Sequence, residues 1–152
     1  MRFSQAQIRN ALGISVETFR HWKRVLPPLA EQKKYSAGDL LAAAVFQGLT
    51  EQCGIRVGYL SEIAATIFIT CNASAWASLQ TKMLIVDLKA KNCVLLKKGR
   101  GISFDNVVVV FPLAGIIARI QDVLSTYPDG AQHHLHLPPV LVSGRRPQRQ
   151  SV

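Results

Sequence analysis

Apolar residues recur with a helical period through the first half of the chain and in short extended runs through the second. Ile8, Ala11 and Leu12 fall at i, i+3 and i+4 and predict a helix over about Gln5 to Leu12. Ser4-x-x-Gln7 ahead of it is a capping-box pattern, and Gly13 behind it tolerates the positive φ that ends a helix. Ser15 is placed to cap a second helix. Stepping about 100° per residue, that helix puts Val16, Phe19 and Trp22 on one side and Glu17, His21 and Arg24 on the other, flanked by Thr18 and Arg20. Pro27 and Pro28 forbid its continuation and favour extended backbone, so a small wing or loop is expected up to Lys33, Lys34 and Tyr35. Ser36-x-x-Asp39 opens a third helix, about Ala37 to Gln52, with Leu40, Leu41, Ala44, Val45 and Leu49 inward. A fourth, about Gly58 to Phe68, carries Leu60, Ile63, Ala64 and Ile67 at helical spacing.

Beyond Phe68 the rhythm changes. Trp76 and Leu79 lie in a brief helix or linker. Met83 to Leu88 and Val94 to Lys98 read as strands joined by the hairpin-length connection Lys89-Ala90-Lys91-Asn92. Asn106 to Phe111 is an uninterrupted Val-rich run, expected to be a strand buried on both faces and ended by Pro112. Ile116, Ile117, Ile120, Val123 and Leu124 then predict an amphipathic helix ending near Tyr127. The fold class is therefore α+β. Three segments are expected: a helical domain over 1–70, a small α+β unit over 71–128, and a mobile basic tail over 129–152. A sheet-and-helix unit of that size is marginal alone, so it must bury its apolar face against the N-terminal helices or a second copy of the chain. A homodimer through this half is expected; the alternative is a monomer with the unit buried internally.

Charge narrows the partner. Among 152 residues, 18 Lys and Arg stand against 9 Asp and Glu, a net charge of +9, which favours a polyanion or an anionic surface. The cations cluster. Arg2, Arg9, Arg20, Lys23, Arg24, Lys33 and Lys34 stand against only Glu17 and Glu31 up to Tyr35, whereas 36–72 holds Arg56 alone against Asp39, Glu51 and Glu62. A second concentration runs from Lys82 to Arg100; Lys89, Lys91, Lys97, Lys98 and Arg100 either add DNA contacts or protect an edge hairpin. The longest uncharged apolar run, Val107 to Ala118, is short of the roughly 20 residues that span a bilayer and holds Pro112 and Gly115. No membrane partner is expected, and the N-terminus lacks the apolar core of a secretory signal, so a cytoplasmic, nucleoid-associated location is expected. Cys53, Cys71 and Cys93 are odd in number and form no C-x-x-C pair, the usage of reduced thiols.

The order SVETFRHWKR, PPL, KKYSAGDLLAAAVFQGL, CGIRVGYLSEIA resembles the winged helix-turn-helix domain of the MerR family of bacterial transcription regulators, over about Phe3 to Phe68. The resemblance implies that the second helix is a recognition helix. It sets Ser15, Thr18 and Arg20 on the family's recognition positions, His21 and Trp22 in place of its paired aromatics, and Lys34 and Tyr35 at the end of the wing. Two departures stand out: the wing is short and lacks its usual Gly, and CGIRVG replaces the expected Ser-capped turn. The family's long dimerising coiled coil has no counterpart after Phe68, so its mode of dimerisation and ligand sensing is not implied.

The expected function is a sequence-specific DNA-binding transcriptional regulator acting as a homodimer on double-stranded DNA. Arg20, Arg24, Lys33 and Lys34 would hold phosphates and Glu17, Thr18 and His21 would meet base edges, with Ser15, Lys23 and Tyr35 completing the surface. The alternative is an architectural, partition or excisionase-like protein that assembles along DNA. Enzymatic function is not expected, since no nucleophile elbow, metal-ligand spacing, phosphate-cradling Gly loop or carboxylate pair is present. No cofactor and no metal are expected: His133, His134 and His136 have no Cys or carboxylate neighbour. Arg145, Arg146 and Arg149 are placed for nonspecific phosphate contact.

Overall fold

A computed structural model describes residues 2–101 and 103–126, so the tail histidines and arginines and the helix end at Tyr127 lie outside the described residues. Of the described residues, 57% are helical and 15% lie in strands, an α+β architecture. Helices α1 (Gln5–Leu12), α2 (Val16–Val25), α3 (Pro27–Ala30), α4 (Ala37–Gln47) and α5 (Ser61–Asn72) precede a one-turn α6 (Trp76–Leu79). Strands β1 (Lys82–Asp87), β2 (Asn92–Lys97) and β3 (Val109–Pro112) follow, then α7 (Leu113–Ser125).

The helix boundaries follow local chemistry. Ser4 Oγ accepts from the Gln7 amide while Gln7 Oε1 accepts from the Ser4 amide, and Gly13 closes α1 at φ 65°. Ser36 and Asp39 form the same reciprocal box at the start of α4. The Pro27-Pro28 break is real but shorter than expected. Only Leu26 is extended, and the prolines then occupy the first turn of α3, where their missing N–H groups cost nothing. In place of a full extended wing, a single antiparallel bridge joins Tyr35 to Phe3, with N–H···O distances of 2.7 and 2.8 Å. The third helix runs to Gln52 as expected but changes form on the way: α4 gives way at Gly48 to a wider π-helical turn over Gly48–Gln52, and a 3₁₀ turn over Val57–Leu60 leads into α5.

α4 is the centre of the molecule. From Gly38 to Phe46 every residue is buried. α5 crosses it with Phe68 stacked on Phe46 at 5.6 Å, and α1 and α7 cover other sides. Asn72 binds the start of α4, its amide donating to Asp39 Oδ1 at 2.9 Å and its carbonyl accepting from Ser36 Oγ at 2.6 Å. Trp76 Nε1 donates to the Ala37 carbonyl at 3.2 Å, so the link to the second half is fixed to the same point.

The sheet has the order β2-β1-β3, antiparallel throughout. Leu84, Val86, Cys93 and Phe111 face the helices and join one apolar core that also contains Phe3, Ile8, Leu40 and Ile117. α5 packs on β2, and α7 on α1, α4, α6 and β1, so sequence-distant halves share this core. β3 departs from expectation. It is an edge strand of four residues, and Val107 (93% exposed) and Val110 (47%) are not buried on both faces as the unbroken Val run implied. The hairpin turn is held by Asp87, whose carboxylate accepts from the Ala90 amide and from Asn106 Nδ2, bonds that keep it below the usual carboxylate range. Among the described residues no helix is long and apolar enough to cross a membrane.

The α4–α5 junction makes Gly38 obligatory: a Cβ there would lie 2.8 Å from the Asn72 Cα, a backbone atom that cannot step aside. Gly38→Ala is expected to lower stability by about 1–3 kcal/mol through overpacking, more than the roughly 1 kcal/mol that Ala gains over Gly in a helix. A urea-unfolding midpoint equal to or above that of the wild type would refute the close approach.

Candidate nucleic-acid interface

α2 is positioned by what it buries. Phe19 and Trp22 enter the core, and Phe19 meets the Tyr35 ring edge-on at 5.9 Å and 88°. Val16, expected inward with them, is 48% exposed, because the first turn of α2 projects past the elements it packs on. The helix start is fixed by Ser15, whose Oγ accepts from the Thr18 amide at 3.0 Å and donates to Thr18 Oγ1 at 3.0 Å. Ser15 and Thr18 are thereby partly committed to each other.

Glu17, Arg20, His21 and Arg24 are all exposed along the outer side of α2. Arg24 Nη2 lies 3.4 Å from His21 Nδ1, a contact across one helical turn. Lys23 is half-buried, flanking this row. Lys33 and Lys34 stand exposed on the loop that returns to Tyr35. The structure thus gathers four charged or polar side chains on one helix face and sets two lysines on the loop that follows.

Tyr35 belongs to a different place. It is fully buried, so it offers no side-chain surface to a nucleic acid. Its hydroxyl has the Gln32 carbonyl at 2.9 Å and the Leu29 carbonyl at 3.2 Å as acceptors, and burial pushes the phenol above its ordinary value against the opposing effect of Gln5. Its work is to anchor the lysine loop: the backbone bridges Phe3, the ring packs on Phe19 and the hydroxyl ties back to α3.

A second wall, unanticipated in the sequence, completes the surface. An open cleft of about 720 Å³ is lined on one side by Thr18, His21 and Trp22 and on the other by Thr50, Glu51 and the segment Ile55–Tyr59. Arg56 is exposed there, and Tyr59 is 77% exposed. The sequence reading named neither residue as a site candidate. The available signal was that Arg56 is the only cation between Ser36 and Asn72 and stands three residues from an aromatic. Among the second group of lysines, Lys91 is paired with Glu62 of α5 in an exposed ion pair.

Other chemistry is sparse. Cys53 is exposed, while Cys71 and Cys93 are buried where α5 meets β2, and burial pushes both thiols up, partly offset at Cys93 by the Thr70 hydroxyl at 3.3 Å. Among the described residues no three His, Cys, Asp or Glu side chains gather as a metal site would require. No family model, curated protein or solved structure matches the chain.

The anchoring of the lysine loop is testable through stability. Tyr35→Phe keeps the ring contact with Phe19 and removes the hydroxyl from the Leu29 and Gln32 carbonyls. The variant is expected to lose about 1 kcal/mol in denaturant unfolding; an unchanged midpoint would show that the hydroxyl bonds are not what secures the loop.

Proposed function

We propose that this protein is a sequence-specific DNA-binding transcriptional regulator that acts as a homodimer on double-stranded DNA, its N-terminal helices forming a MerR-like winged helix-turn-helix reading head. One observation carries the proposal: α2 is capped at its start, buried on Phe19 and Trp22, and lined on its free side by Glu17, Arg20, His21 and Arg24. A helix held by one face with cations and hydrogen-bonding groups on the other is suited to a major groove, which admits one α-helix.

The division of labour follows from side-chain chemistry. Arg20 and Arg24, with Lys33 and Lys34 on the loop, supply charge to phosphates, which sets register without reading sequence. His21 and Thr18, with Glu17, supply the donors and acceptors that distinguish base edges. Arg56 and Tyr59 add a cation and an aromatic hydroxyl from the opposite wall of the cleft. Packing of α2 on α3, the Phe19–Tyr35 ring contact and the Phe3–Tyr35 bridge keep α2 and the lysine loop in fixed relation, which supports a preformed reading surface.

Selection from random duplex oligonucleotides, followed by gel shift at two salt concentrations, tests the proposal directly. A defined motif bound by wild type is expected. Arg20→Ala and Arg56→Ala should weaken binding to all duplexes and reduce the salt slope by about 1 each, whereas changes at His21 or Thr18 should alter preference among sequences. Unchanged affinity and salt slope in Arg20→Ala would reject α2 as the recognition helix. Protection that spreads along DNA with rising concentration, without a bounded site, would reject the regulator in favour of an assembling architectural protein.

A further inference from the structure

The sheet has two apolar faces, and the helices cover only one of them. Side chains alternate across a strand, so Leu84 and Val86 with Cys93 and Phe111 face the helices, while Met83 and Ile85 face away. The pairing register aligns Ile85 with Val94 and Val110 in one row across all three strands, and Met83 with Leu96 and Pro112 in the next. Ile85 is 3% exposed yet stands outside the apolar core that unites the rest of the molecule. It is the middle of a separate apolar layer.

That layer is open. Val94 and Val110, on either side of Ile85, are exposed, and so are Phe104 and Val107 in the connection leading into β3. Together these are four of the seven exposed large apolar side chains among the described residues, so the exposure is concentrated here. Asn106 ties the connection to Asp87, at the end of the same outward-facing side.

Charge decides what fits. The protein carries +9, yet the two outward rows hold no charged residue, and Lys82 and Lys97 pair with each other on the opposite parity. A polyanion finds no cation in these two rows, and only Lys98, just past β2, follows them on the same parity. Two copies of a +9 chain repel wherever their basic surfaces meet, but here each presents two apolar rows without charge to its equal, with Asp87 and Lys98 only at the ends of the face, the composition typical of homodimer interfaces. We propose that the outer face of the sheet, centred on Ile85 with Val94 and Val110, is the interface with a second copy of this chain, two three-stranded sheets stacking face to face. The inference deepens the regulator proposal and draws on it for its use, since two heads on one particle read two half-sites together.

Sedimentation equilibrium of the full-length chain tests the interface without DNA. Wild type is expected at the mass of two chains in the micromolar range. The double variant Val94→Lys and Val110→Lys should sediment as one chain with an unaltered far-ultraviolet circular dichroism spectrum, while Ile69→Lys, a still more exposed apolar site on α5, should remain dimeric. The milder pair Val94→Thr and Val110→Thr keeps β-branched shape and should raise the dimer dissociation constant by at least tenfold. A wild type that is monomeric at all concentrations, or a Thr pair as tightly dimeric as wild type, would overturn the interface. The two proposals separate cleanly: a dimer sensitive to these variants that binds no duplex supports the interface and removes the reading head, and a monomer that selects a DNA motif does the reverse.

Discussion

Enclosure of α4 is the constraint on which the rest of the structure depends. A helix apolar around its whole circumference has no face to give to water, so every side must be covered. α1 and α5 cover only part of it, and the remainder is covered by α7, which the chain supplies after the sheet. The one carboxylate near it, Asp39, is satisfied by the Ser36 amide and by Asn72, so the polar cost of burial at its start is met locally. Trp76 bonds to the Ala37 carbonyl at that same end. The two halves therefore close around one object and do not merely sit beside each other.

The exposed face of α2 has meaning because of this rigidity. An amphipathic basic helix on a surface is ordinary; one whose start is capped, whose apolar side is locked by Phe19 and Trp22, and whose following loop is pinned through Tyr35 has its polar groups in defined positions. Preorganisation of this kind turns charge into readout, since side chains free to wander supply attraction without discrimination. Tyr35 illustrates the exchange: it contributes nothing to the surface directly and fixes where Lys33 and Lys34 stand.

Local signals were legible in the sequence wherever one residue type determines one geometry. Ser4 with Gln7, Ser36 with Asp39, and Gly13 each act within four residues, and all three stand as the spacing implied. The hairpin between β1 and β2 was legible for the same reason, to within two residues at its ends. Signals failed where tertiary context decides. Val16 has the period of a core residue but no neighbour to bury it, and Pro27-Pro28 breaks a helix or begins one depending on what Leu26 does just before. The Val run up to Phe111 has the composition of a central strand, yet it joins the sheet at an edge because β1 already takes the middle. Arg56 and Tyr59 were invisible as site residues because the cleft they line exists only when the π-helical turn brings them opposite α2.

That turn connects the cleft beside α2 with the sheet. At its first residue, Gly48 stands so close to Phe111 of β3 that a Cβ would lie 2.7 Å from the ring. Two and three residues on, Thr50 and Glu51 line the cleft beside Thr18 and His21. A π-helical segment is a less favourable backbone state than the α-helix it interrupts, so it persists because its surroundings hold it. One of those surroundings is the Phe111 ring, carried by the strand that also presents Val110 on the outer sheet face. Five residues, Gly48–Gln52, thus stand between the sheet and the wall that faces α2. The C-terminal half is for this reason part of the frame of the cleft beside α2, and a fragment ending near residue 70 would lose both the cover of α4 and the support of the cleft.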